Sequence, residues 1–295
     1  MRYQFLGKSD LKVSEVSLGC MSLKPGEPES VDVIRAAIDS GINFFDTADL
    51  YDKGENERML GLALREDRNK YVIATKVGNR WREDGSGWDW APGRHYILQA
   101  VEESLRRLQT DYIDLYQLHG GMIQDPIDEI IETFELLKQQ GKIRYYGISS
   151  IRPNVIREYA RHSDIVSVMM QYSLLDRRPE EEALGLLADR SVGVLARGSL
   201  AQGLLVDKPP RPYLDHPEAD VSKAERAVNF VAGENHTAAQ TAIGFVLKHP
   251  TVCSAVAGIR TLDQLREAIP PHDLTDREYG FLKDSVSDIF YTDHR

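Results

Sequence analysis

Cysteine is scarce in this chain: there are two in 295 residues, Cys20 and Cys253. They lie far apart and have no companion histidine at a metal-ligand spacing, which argues against both a disulfide framework and a zinc site. No uninterrupted apolar run approaches membrane-spanning length, and charge breaks the stretch from Met1 to Asp10 too early for a signal peptide. A basic surplus is missing as well. With 36 basic and 46 acidic side chains the net charge is -10, which repels a phosphate backbone and anionic lipid alike. Nucleic acid and membrane surfaces are therefore set aside as partners, and a cytoplasmic protein with reduced thiols is expected. Two further absences narrow the chemistry. No Gly-x-Gly-x-x-Gly joins a strand to a helix, so a Rossmann site has no support, and no His-x-His or similar cluster ends a strand, so no metal is expected.

What the sequence has is alternation. Short apolar or β-branched runs take turns with segments of helical period, the pattern of parallel βα units. The strand candidates are 16–19, 42–46, 71–76, 112–119, 143–148, 165–170, 192–196 and 254–257. Between them, Val31–Ser40 reads as a helix stopped by Gly41, Asn56 as the N-cap of the next, and Ile97, Val101, Leu105 and Leu108 fall one turn apart. Further helices are expected from about Ile127 to Gln140, from Pro153, from Glu180 to Asp189, from about Lys223, from Ala238 to Lys248, and after Asp273. Eight such units predict a single-domain α/β fold, a closed (β/α)8 barrel spanning 1–295. The segments around Gly85–Trp90 and Leu204–Val221 read as loops.

In such a barrel the active site is built at the carboxyl ends of the strands. Asp46 ends the second candidate strand, Lys76 the third, His119 the fourth, Ser149 and Ser150 the fifth, Gln171 the sixth and Arg197 the seventh, with Tyr51 a short loop beyond Asp46. Singly, each has a plain structural use as cap, snorkelling cation or packed ring. Together on one rim they are costly to bury without mutual pairing, and so point to chemistry. Hydride reduction of a carbonyl leaves an alkoxide that needs a proton. A tyrosine with an ordinary pKa of about 10 is too weak an acid near neutrality, and a lysine cation beside it stabilises the phenolate. That logic casts Tyr51 as acid, Lys76 as its tuner, Asp46 as the anchor of Lys76, and His119 as a donor that polarises the carbonyl.

The run Asp46-Thr47-Ala48-Asp49-Leu50-Tyr51 with Gly54 and Glu57, the run Ser104 to His119, and Thr75-Lys76-Val77 resemble the signatures of the aldo-keto reductase family, and the likeness extends from about Phe5 to Ala268. The resemblance implies the same barrel, carbonyl reduction, an extended nicotinamide cofactor, and the catalytic set Asp46, Tyr51, Lys76 and His119. It also implies that Ser149 and Gln171 meet the nicotinamide carboxamide, that Gly198, Ser199 and Leu200 serve the pyrophosphate, and that Gly258, Arg260, Gln264 and Glu267 surround the adenosine end. A guanidinium at Arg260 suits a 2′-phosphate, which favours NADPH/NADP+ over NADH. Departures from the family pattern are Ser150 and Ala268, each where Asn is frequent, and Arg197 where an aromatic often stacks on the nicotinamide, leaving guanidinium stacking or a phosphate contact to replace it. Gly120 and Gly121 replace bulkier residues and suggest an open pocket mouth. The expected substrate is a small carbonyl compound. Two alternatives keep the same residues: an NADPH-binding regulatory subunit with little turnover, like the potassium-channel β subunits, and a Schiff-base lyase using Lys76 as nucleophile.

Overall fold

A computed structural model describes residues 1–295. An antiparallel hairpin of β1 (Tyr3–Phe5) and β2 (Lys12–Ser14) leads into β3 (Val16–Gly19), and β4 (Phe44–Asp46) and β5 (Val72–Val77) follow. A second hairpin, β6 (Asn79–Trp81) with β7 (Trp88–Trp90), stands outside the main sheet. Then come β8 (Ile113–Leu118), β9 (Ile143–Ser149), β10 (Ser167–Gln171), β11 (Gly193–Arg197) and β12 (Val252–Ala257). The eight strands β3, β4, β5, β8, β9, β10, β11 and β12 pair in parallel and close when β12 meets β3. This is the (β/α)8 barrel that the alternation implied.

The helices are α1 (Pro28–Asp39), α2 (Glu55–Leu64), α3 (Arg94–Leu108), α4 (Ile127–Gln139), α5 (Pro153–His162), α6 (Ala183–Asp189), α7 (Glu218–Ala232), α8 (Ala238–Leu247), α9 (Leu262–Ala268) and α10 (Asp276–Asp284). Pro28 and Pro153 start their helices where the missing N–H has no partner to lose. None of the helices is long and apolar enough to cross a membrane.

Side chains on a strand alternate between faces, and here that alternation separates two cores. Phe44, Val72, Ala74, Leu115, Met169 and Leu195 fill the barrel interior together with Leu6, Leu11 and Val13 of the N-terminal segment. Their neighbours Phe45, Ile73, Tyr116, Val168, Met170 and Val194 face outward into the larger core beneath the helices. Counting in twos along the inward face leads from Phe44 to Asp46, from Val72 through Ala74 to Lys76, from Leu115 through Gln117 to His119, and from Leu195 to Arg197. The apolar filling therefore ends in a polar layer at the carboxyl ends of the strands.

Several local expectations are corrected. Asn56 is no N-cap, because α2 starts at Glu55 behind a left-handed Gly54. Its buried amide instead accepts from Thr47 Oγ1 at 2.7 Å and donates to Cys20 O at 2.8 Å, tying the β4 loop to the end of β3. The stretch read as a loop around Gly85–Trp90 contains a strand, since Trp88 and Trp90 pair with Trp81 and Asn79. The helix expected from about Lys223 begins at Glu218.

Candidate active site

Lys76 is the centre of the polar layer. Its Nζ donates to Asp46 Oδ2 at 2.7 Å and to Thr47 O at 2.7 Å, and it lies 3.4 Å from Tyr51 Oη. The side chain is fully buried, so this ammonium exists only because the carboxylate and carbonyl replace its water. Burial pulls the Lys76 pKa down, but Asp46 and Tyr51 together more than reverse this and hold it above the ordinary lysine range. The amine of a Schiff-base nucleophile must be free of its proton, and this one is kept protonated. Burial draws the Asp46 carboxyl upward, opposed by Lys76 and by Gln117, whose Nε2 donates to Asp46 Oδ1 at 3.4 Å.

Tyr51 opens a tight turn, 51–54, in which Asp52 and Lys53 adopt left-handed backbone. Among the bonds that hold the turn, Tyr51 N donates to Ala48 O at 3.1 Å, Lys53 N to Leu50 O at 3.4 Å, and Trp81 Nε1 to Leu50 O at 3.0 Å. The phenol does not become a stronger acid than free tyrosine, contrary to the expectation drawn from its neighbour. Burial raises its pKa, and Lys76, pulling the other way, only partly compensates. A hydroxyl stripped of water holds its proton, and the ammonium limits that rise without abolishing it.

His119 follows β8 directly, its ring edge-on to that of Tyr51 with centroids 5.8 Å apart. Burial first, then the positive charges of Lys76 and Arg197, lower its pKa to about 3. The imidazole is neutral and offers one N–H. Its Nδ1 is buried without a hydrogen-bond partner. Asn79 Nδ2 donates to the His119 carbonyl at 3.1 Å, and His119 N donates to Val77 O at 2.7 Å, so the backbone is held on both sides.

Of the residues expected around a cofactor, Gln171 and Arg197 come together: Arg197 Nη1 donates to Gln171 Oε1 at 3.4 Å. Gln171 Nε2 is already committed to Asp176 Oδ2 at 2.8 Å and to Tyr213 Oη at 3.1 Å. Its amide is thereby oriented with the oxygen toward Arg197, and that oxygen keeps a second lone pair. Ser149 ends β9 and is buried. Gly198 is exposed with φ 72°, Ser199 is buried with an unpartnered Oγ, and Leu200 closes that short turn half-buried. Gly258 lies exposed just beyond β12, and the guanidinium of Arg260 pairs with nothing in the chain. The Gln264 side chain accepts from Arg260 N at 2.9 Å, and Glu267 projects from α9 without an ion pair. These four share one segment and make no hydrogen bond or ion pair with the Lys76 cluster.

The space beside Gly120 and Gly121 is already filled. A Cβ at Gly120 would stand 3.3 Å from the Trp90 ring and one at Gly78 only 2.7 Å from it, while a Cβ at Gly121 would reach Val155 at 3.0 Å. The glycines make room for Trp90, whose Nε1 donates to Asp125 at 2.9 Å. Sequence reasoning also passed over Gln117, Asp49, Tyr96 and Asn79. Gln117 was within reach, since it lies two residues before His119 on the same inward face.

A family model described as "Aldo/keto reductase family" matches residues 15–282. This chain belongs to the aldo/keto reductase family. It is 47% identical over its whole length to YqkF of Bacillus subtilis, an uncharacterized oxidoreductase that it covers in full. Among solved structures it is similar to the holo form of aldo-keto reductase AKR11C1 from Bacillus halodurans, with a TM-score of 0.94, 46% identity and coverage of 100% of this chain and 99% of that one. The apo form of AKR11C1 superposes less closely, at a TM-score of 0.85. An Escherichia coli relative, 29% identical over 90% of this chain and 91% of its own, is named NADH-specific methylglyoxal reductase. Members of the family are oxidoreductases that use nicotinamide cofactors, and this member is an oxidoreductase of that kind.

Proposed function

We propose that this chain reduces small aldehydes and ketones with NADPH, and that Tyr51 delivers the proton. The observation that carries the proposal is the buried Lys76 ammonium, fixed by Asp46 at 2.7 Å and facing Tyr51 Oη at 3.4 Å. A bound reduced nicotinamide would supply hydride to the carbonyl carbon. As negative charge grows on the carbonyl oxygen, the Tyr51 hydroxyl donates its proton there. The phenolate left behind is stabilised by Lys76, which Asp46 and Thr47 O keep in place. A raised pKa suits this direction of reaction, because Tyr51 stays protonated at neutral pH and becomes a donor only when the stronger base appears beside it. His119, neutral, donates a hydrogen bond to the same oxygen and orients it.

The rim fits a dinucleotide on the chain's own evidence. Ser199 Oγ is buried and unpartnered, Gly198 turns where a side chain is disfavoured, and the Gln171 oxygen has a second lone pair for an amide donor beside Arg197. Ser149 and Gln171 would hold the carboxamide, Gly198 to Leu200 the pyrophosphate, and Gly258, Arg260, Gln264 and Glu267 the adenosine end. Arg197, already at Gln171 Oε1, would border the nicotinamide. An Arg260 guanidinium unclaimed by any carboxylate supports the preference for the 2′-phosphate. One relative is named for NADH, so the choice of dinucleotide is the point to test. A cytoplasmic setting is proposed with it, one that keeps Cys20 and Cys253 as thiols.

Steady-state oxidation of NADPH and of NADH with a panel of aldehydes and ketones, in wild type and Arg260→Ala, tests the reading. Loss of a charge-assisted phosphate contact should weaken NADPH by about tenfold or more and leave NADH nearly unchanged. Equal losses would remove Arg260 from its role. No carbonyl-dependent oxidation of either cofactor would remove the function.

A further inference from the structure

Asp49 lies two residues before Tyr51 on the loop that carries the phenol, and it is buried. The Tyr96 hydroxyl of α3 stands 3.1 Å from Asp49 Oδ2 and 3.2 Å from Asn79 O. That hydroxyl has one hydrogen. If Asp49 is a carboxylate, two acceptors compete for it and one goes without. A proton on Asp49 Oδ2 resolves the conflict: Oδ2–H donates to Tyr96 Oη, and Tyr96 O–H donates to Asn79 O. The chain then continues, because Asn79 Nδ2 donates to His119 O at 3.1 Å. Asp49 N donates to Lys76 O at 3.3 Å, so the same residue also touches the strand of the central ammonium.

The surroundings favour the neutral acid. Asp49 Oδ1 is buried with no partner in hydrogen-bonding geometry, which a carbonyl oxygen tolerates better than half of a carboxylate charge. The cation that acts on it, Arg107, is engaged by Glu57, its Nε donating to Oε2 at 2.6 Å. Glu57 is itself fully buried and presents a like charge to Asp49. We propose that Asp49 is a positioning residue, held as a neutral acid, which clamps the Tyr51 loop to the His119 strand end through Tyr96 and Asn79.

The titration agrees with the geometry. Burial, then Glu57, push the Asp49 carboxyl up to about 8, against the opposing pull of Tyr96, Arg107 and the Leu50 backbone. The groups facing it are Glu57 from α2, Arg107 and Tyr96 from α3, and Tyr116 from β8. A folded pKa above the ordinary 3.8 means that the native state holds the extra proton between 3.8 and about 8. The stability this group contributes is complete below that window and is lost as pH rises through about 8. Ionised Asp49 then claims the Tyr96 hydrogen, Asn79 O is released, and turnover falls. This limb lies below that of Tyr51, whose own pKa is raised from 10.0.

The proposal rests on the reductase reading of the site for its kinetic consequence, but the proton itself can be read without turnover. Infrared difference spectra of the whole chain should show a protonated-acid carbonyl band that disappears on titration through about 8 and is missing from Asp49→Asn. Asp49→Ala should lower kcat about tenfold, as expected for one lost buried hydrogen bond, with KM for the cofactor little changed. Asp49→Asn keeps a donor to Tyr96 and should recover most of that loss with a pH profile flattened near 8. Tyr96→Phe should lower kcat similarly, and adding Asp49→Ala to it should cost little more. Wild type without the band, or an Asp49→Ala enzyme with unchanged kcat and profile, overturns the proposal. An enzyme that shows the band yet reduces no carbonyl overturns the reading of the site instead.

Discussion

At the scale of single residues, the site works by setting charges against burial. Lys76 stays charged because Asp46 lies 2.7 Å away, and His119 stays neutral because burial, and then the positive charges of Lys76 and Arg197, disfavour its protonated form. The histidine makes a prediction of its own. Its folded pKa of about 3 lies below the ordinary 6.5, so the native state binds fewer protons between those values. Its contribution to stability is present above 6.5 and is lost as pH falls toward 3. Urea unfolding of wild type and His119→Gln at neutral and acid pH should show a smaller loss on acidification in the variant, and equal losses would contradict the assignment. Most of these residues were legible in the sequence, because each terminates an apolar run and shares the inward parity of its strand. Asp49 was not. Its partners Tyr96 and Asn79 come from a helix and a hairpin, and no local pattern announces a meeting across 47 residues.

At the scale of elements, strand positions were readable because strands buried on both faces leave short apolar runs, as at Phe44–Phe45, Val72–Ile73 and Val194–Leu195. The hairpin of β6 and β7 was hidden by the turn-like composition of Gly85-Ser86-Gly87, which lies within the connection between its two short strands. Its function is positional: Trp81 holds the Leu50 carbonyl, and Trp90 fills the space above Gly78 and Gly120. Start points of helices failed where the cap was a backbone conformation, as at Gly54, and not a side chain. Beneath the site, Phe44 packs inside the barrel two residues before Asp46. Phe44→Ala should destabilise the protein by about 3–5 kcal/mol, seen as a lower urea midpoint with an unchanged slope. A shift equivalent to less than about 1 kcal/mol would show that the barrel interior collapses around the gap.

At the scale of the molecule, closure explains why residues distant in sequence converge. Eight parallel strands direct their carboxyl ends to one rim, so Asp46, Lys76, His119, Gln171 and Arg197 need only end their strands on the inward face to meet there. The same closure leaves the segment from Gly258 to Glu267 apart from the reacting centre, where it suits the far end of an extended ligand. The account stands or falls on Tyr51. Single-turnover reduction of an aldehyde by the NADPH-bound enzyme should be slowed by about a hundredfold or more in Tyr51→Phe, the usual worth of a positioned proton donor, while NADPH affinity stays nearly the same. Equal rates in the two proteins would contradict it.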